Sequence, residues 1–113
     1  MFRYRIYENV YEAMISGKKH IEIRLLNEKS ESIKKGDTIK FDVLDTDKSL
    51  MVEVVDKYVF KDVNELWKYK HIVASSSMNY TKEEFYNALC QIFGKENVDN
   101  SKLVAIQFKM IGE

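Results

Sequence analysis

The chain has 113 residues, 45% of them hydrophobic and 32% charged, with 18 Lys and Arg against 18 Asp and Glu. That length fits one domain, residues 1–113, able to bury a core without disulfides or metal, and 13 Phe and Tyr plus Trp67 exclude a disordered chain. The zero net charge argues against a generic duplex binder, whose affinity comes from neutralising phosphates; one local bias, seven basic against four acidic side chains over residues 18–40, fits a basic rim or simply a solvated surface.

Residues 1–6 are the candidate for an additional, fifth strand. Tyr7, Val10, Tyr11, Met14 and Ile15 recur at helical spacing, and Gly17 suits a left-handed cap after them. A strand follows over about residues 19–25, with Ile21, Ile23 and Leu25 on one face and His20, Glu22 and Arg24 on the other. Residues 26–34 are polar and irregular, with room for a short turn of helix. Lys35-Gly36-Asp37 reads as a turn into a strand with Ile39, Phe41 and Val43 on its apolar face. Asp45-Thr46-Asp47 turns the chain back into a run from Leu50 to Phe60, long enough to bend around a barrel.

Asp62 and Glu65 form an aspartate capping box for a short helix carrying Val63, Leu66 and Trp67. Residues 71–79 have no clear period and read as a loop. Thr81 and Glu84 form a second capping box, with Tyr80 and Phe85 as its hydrophobic staple, and Phe85, Ala88, Leu89, Ile92 and Phe93 continue the helix to Gly94. After Lys102 a last strand places Val104, Ile106, Phe108 and Met110 on one face. The order of elements lacks βαβ repeats, which excludes a doubly wound sheet and favours a small, strongly bent α+β barrel of about five strands, mostly antiparallel, flanked by about three helices.

Chemistry concentrates in one place. Lys19, Glu22 and Arg24 lie within six residues of one another, and Glu22 and Arg24 share a strand face with stems about 7 Å apart. Strict alternation points Lys19 with the apolar set, so it joins the other two only where the chain twists or bulges after Gly17. Charges on a strand face also serve simply as a solvated edge. Elsewhere the signals are weak. His20 and His71 are 51 residues apart and in no metal-ligand spacing, so neither a metal nor a cofactor is expected. Ser75-Ser76-Ser77 lacks the glycine elbow of a hydrolase serine. Cys90 is the sole cysteine and reads as a core residue. Arg3, Arg5 and Glu8 interrupt any leader-like apolar run, and no segment reaches the length of a membrane span, so the expectation is a cytoplasmic protein without a membrane partner.

The pattern Gly17-x-Lys19-x-x-Glu22-x-Arg24, then Leu26-Asn27-Glu28-Lys29 and Gly36-Asp37, resembles the ASCH domain, a small relative of the PUA domain associated with RNA. The resemblance continues through residues 60–66, Thr81-Lys82-Glu83-Glu84 and the strand from Leu103 to Phe108, and so covers nearly the whole chain. It implies a PUA-like barrel and a cleft for single-stranded RNA or a nucleotide or nucleoside. There Lys19 and Arg24 supply cationic donors and Glu22 accepts from a base or orients the cations. Tyr80, Tyr58 or Trp67 is the candidate stacking plane, although composition favours the core or the staple for Trp67 and Tyr80.

One branch of the family resembles a 4-acetylcytidine amidohydrolase, with a Lys, a Thr three residues later and a downstream Glu. As an enzyme of that kind the chain would use Lys19 and Glu22 as catalytic residues. Lys19 matches, but Glu22 stands at the threonine position, and Ser77-Met78-Asn79-Tyr80 has no acid where the downstream glutamate belongs. Ribonuclease chemistry, reported for other relatives, finds no paired histidines here.

Overall fold

The computed structural model describes residues 1–76 and 81–111. Its elements in chain order are β1 (Phe2–Ile6), α1 (Glu8–Ile15), β2 (Ile21–Leu25), α2 (Glu28–Ser32), β3 (Thr38–Val43), β4 (Ser49–Phe60), α3 (Val63–Trp67), α4 (Lys70–Ser75), α5 (Lys82–Phe93), α6 (Lys95–Asn100) and β5 (Leu103–Met110). The five strands form one curled, half-barrel sheet in the order β1-β3-β4-β5-β2. Only β1 and β3 run parallel; the other three pairings are antiparallel. The α+β, PUA-like barrel expected from the sequence is therefore the observed architecture, with residues 1–6 as the fifth strand. The described residues form six helices rather than about three.

The additional helices have local causes. Asn27 caps α2 reciprocally with Ser30, which turns a polar segment into a helix. The segment read as a loop begins instead with α4, which buries Ile72 and Val73 beneath a chain too short to display a full period. Gly94, at φ +91°, ends α5 and starts α6 directly. The predicted caps are in place. Thr81 N–H donates to Glu84 Oε1 at 2.9 Å, and Glu84 N–H donates to Thr81 Oγ1 at 3.2 Å. Asp62 accepts from Glu65 N–H at 2.9 Å, while Glu65 itself reaches one residue further back, to Lys61 N–H. Tyr80, the other half of the expected staple, and Ser77, Met78 and Asn79 lie outside the described residues.

Curling divides the core in two. Ile39, Phe41, Val43, Val52, Val54, Val104, Ile106 and Phe108 fill the concave face with Ile6, Met14 and Ile33. Ile21, Ile23, Leu103 and Ala105 face the other way, against Phe60, Leu66, Ile72, Phe85 and Leu89 from the helical side. Cys90 is half-buried against this second cluster. The bend is set by β4, whose register against β5 shifts between Val54 and Asp56, leaving Val55 as an extra residue. Helix α1 buries Met14 and packs Val10 and Tyr11 against the first cluster, while Tyr7 and Ile15, at its two ends, are 57% and 50% exposed. Among the described residues no helix is long and apolar enough to cross a membrane.

Gly17 sets the chain's approach to β2. Its φ of +83° lies in the left-handed region that non-glycine residues avoid, and nothing lies within 4 Å of where a Cβ would stand. Gly17→Ala is therefore expected to lower stability by about 1–2 kcal/mol through backbone strain alone. Denaturant unfolding of the variant checks this, and an unchanged midpoint would contradict it.

Candidate functional site

Strand β2 carries charge on the face that elsewhere carries the core. In its register with β5, Glu22 stands opposite Ile106 and Arg24 opposite Val104, both residues of the concave face. Glu22 and Arg24 thus point inward, where apolar side chains would be expected. Glu22 is only 7% exposed and Lys19 5%. The sequence pattern puts Ile21 and Ile23 on the buried face, and they are buried; the helices that cover them leave both faces of β2 shielded from solvent.

Lys19 precedes β2, so strand alternation does not govern it, and its ammonium does turn to Glu22. It donates to the carbonyls of Ile21 at 2.9 Å and Ser76 at 3.1 Å, and lies 3.1 Å from Glu22 Oε1. Three acceptors meet its three protons. The other carboxylate oxygen, Oε2, accepts from Arg24 Nε at 2.8 Å and lies 2.7 Å from Nη2. Glu22 is thereby bridged between two cations. Burial, the largest influence, pushes its carboxyl upward in pKa, but Lys19 and Arg24 together outweigh it and hold the group below the usual carboxylate range.

Arg24 also closes the fold. Strands β1 and β2 are the two edges of the sheet, and Arg24 Nη2 donates to the Arg5 carbonyl at 3.1 Å across the gap between them. Its guanidinium lies 4.4 Å from the centroid of the Tyr4 ring. No bond to Nη1 occurs among the described residues, which leaves that end of the fork available.

A cleft of about 180 Å³ opens beside this seam, lined by Lys19, Glu22 and Arg24 together with Arg5 and Tyr7, and walled by apolar groups that include Leu89 and Ile92. Of the three aromatic candidates, Trp67 packs on Phe85 at 5.5 Å between ring centroids, and Tyr58 donates its hydroxyl to Gln107; neither lines the cleft. Tyr80 lies outside the described residues. The cleft residues that sequence reasoning missed are Arg5 and Tyr7. The alternation of Arg3 and Arg5 with Phe2, Tyr4 and Ile6 was a signal for β1, but its meeting with β2 depends on sheet order. His20 is exposed, as a surface residue should be, and the described residues contain no metal-binding group of His, Cys, Asp and Glu.

A half-barrel whose two sheet edges are joined by a buried Lys–Glu–Arg bridge defines the class. No family model matches the chain, and no curated protein matches it. Among solved structures it is similar to hypothetical protein PH0355, with 28% identity and a TM-score of 0.77 over 97% of this chain and all of that one. It is also similar to protein PF0455 from Pyrococcus furiosus, with 25% identity and a TM-score of 0.75 over 99% of this chain and 98% of that one. An ASCH protein from Zymomonas mobilis superposes with a TM-score of 0.66 at 16% identity, covering 95% of this chain and 65% of its own. The chain has the ASCH-domain fold.

Removing the carboxylate alone leaves two buried cations uncompensated, so Glu22→Ala is expected to cost about 3–5 kcal/mol. Replacing the whole bridge, as K19M/E22L/R24M, is expected to be neutral or stabilising, because the desolvation cost disappears with the charges. Equal losses in the two variants would contradict a desolvated bridge. The depressed folded pKa of Glu22 also fixes a pH dependence. Its contribution is complete above the unfolded carboxyl value of about 4.3 and is lost as pH falls through the lower folded value. The stability difference between wild type and Glu22→Gln should therefore be level near neutrality and shrink below about pH 5, as read by urea midpoints.

Proposed function

We propose that this chain binds a nucleotide, free or within single-stranded RNA, with the base in the cleft of Lys19, Glu22 and Arg24. The observation that carries the reading is the free end of the Arg24 guanidinium. The guanidinium is held in place by Glu22, and Arg24 lines a cleft with apolar walls. A base offers flat apolar faces and a few polar edge atoms, which is the chemistry such a cleft complements. The cleft volume of about 180 Å³ falls below the roughly 300 Å³ at which ordinary small-molecule pockets begin, and so suits a base-sized group rather than a larger ligand. Tyr7, 57% exposed at the rim, supplies a stacking plane. The ASCH-domain fold agrees with the RNA association that the sequence resemblance implies, and the zero net charge agrees with reading one nucleotide rather than gripping a long polyanion.

Amide hydrolysis of an acylated nucleoside receives less support. Both oxygens of Glu22 are already engaged, and its lowered pKa makes it a poor proton acceptor. The expected outcome with 4-acetylcytidine is binding without release of acetate; turnover lost in Lys19→Ala would reverse that preference.

Calorimetric titration with ribonucleosides and their 5′-monophosphates tests the binding reading. Tyr7→Ala, at an exposed position, should fold normally and lose about 1–3 kcal/mol of affinity, the usual contribution of one base stack. Arg24→Lys keeps the charge but not the fork and should weaken binding as well. Unchanged affinity in both variants would reject the cleft as the site.

A further inference from the structure

Arg24 and Arg5 line a second pocket, across the seam from the cleft, together with Arg3, Tyr4, Lys29 and Asp42. We propose that this pocket is an oxyanion subsite that takes a phosphoryl group, so that a nucleotide straddles the seam with its base on one side and its phosphate on the other. The second half of this statement rests on the cleft reading above; the subsite itself does not.

Four cations line the pocket against one carboxylate, in a chain whose 18 basic and 18 acidic residues balance overall. That carboxylate, Asp42, is already engaged. It accepts from Arg3 Nε at 3.2 Å and from Arg3 Nη2 at 3.3 Å, and Lys40 approaches it at 4.0 Å. This bidentate contact holds the Arg3 guanidinium in a fixed orientation. Lys29 donates to the Arg3 carbonyl, and its ammonium lies 4.0 Å from the Tyr4 ring centroid, with Arg24 over the same ring. Two cations are thus gathered on one aromatic side chain. Burial first, and then the like charge of Arg24, holds the Lys29 ammonium below its ordinary pKa, a strain that a bound anion relieves. The Tyr4 hydroxyl is buried and meets no partner among the described residues. An unpaired buried phenol costs free energy; with no hydroxyl surface open to a ligand, Tyr4 contributes its ring, over which the two cations lie.

The geometry also explains the choice of cations. Arg24 is fixed by Glu22 and Arg3 by Asp42, and pre-oriented forks lose little freedom when they bind a tetrahedral oxyanion. The large groove elsewhere on the molecule lacks this character, because Asp62, Glu83 and Asp99 line it with Lys82 as the one cation.

The test is an amide-resolved NMR titration with inorganic phosphate, balanced with chloride at constant ionic strength, on the wild type, Arg3→Ala, Lys29→Ala and Lys109→Ala. The expected result is saturable shifts at residues 3–5, 24 and 29. Arg3→Ala and Lys29→Ala should each weaken binding about tenfold, the loss of one charge-assisted contact, and Lys109→Ala should leave it unchanged. Linear, unsaturated shifts spread over exposed lysines, or equal weakening by Lys109→Ala, would overturn the subsite. Parallel titrations with a nucleoside and its 5′-monophosphate separate the two readings. A monophosphate advantage that collapses in Lys29→Ala supports the straddling ligand. Nucleoside binding without saturable phosphate binding would overturn the subsite and leave the cleft standing. Saturable phosphate binding without nucleoside binding would leave the subsite and remove the cleft.

Discussion

The carboxylate of Glu22 is the constraint on which the rest of the site depends. It sits inside a sheet face lined mainly by apolar side chains, and it stays charged there because Lys19 contacts one oxygen and Arg24 the other. Bridging both cations with a single acid fixes three side chains at once and leaves the cluster net positive. Arg24, anchored at Nε and Nη2, reaches across to the Arg5 carbonyl and draws the two edge strands together. Lys19 ties the residues before β2 to the end of α4 through Ser76. A core made only for stability would do better with packed hydrophobic side chains at these positions, since desolvating charges often costs as much as their attraction returns. The bridge makes physical sense as a device that holds a cationic fork in a chosen place.

That arrangement divides the surroundings of Arg24 by chemistry. On one side the walls are apolar and the volume is small; on the other, cations gather around Tyr4. The chain as a whole has no net charge, so it offers no field that would attract any polyanion indiscriminately. The local excess of cations lies at the seam between β1 and β2, where Arg3, Arg5, Arg24 and Lys29 gather. The acidic lining of the large groove near Tyr86 sharpens the contrast.

Much of this was readable from residues whose signals are local. Thr81 and Glu84 announced their helix because a capping box needs only four consecutive residues. Ile39, Phe41 and Val43 announced β3 because one face of that strand is half-exposed and the alternation survives. The charged trio was visible by spacing, and Lys19 joined it because it stands outside the strand. What the sequence hid is long-range. Burial of both faces of β2 follows from the curl of the sheet, and the inward direction of Glu22 follows from its register with Ile106. Arg5 and Tyr7 enter the cleft only because the first strand closes against the second across three intervening strands. The segment at α4 misled because one turn and a half of helix with two buried residues carries no measurable period.

The central claim is that Arg24 is immobilised by Glu22 and offers its remaining donors to a ligand. The most direct measurement is side-chain NMR of the Arg24 Nε–Hε group, with and without a ribonucleoside 5′-monophosphate. The account predicts a resonance protected from exchange with water in the free protein, which moves saturably as the nucleotide is added. An Arg24 signal that exchanges as fast as those of surface arginines, or that stays in place while shifts appear around Asp62, Tyr86 and Asp99, would contradict it.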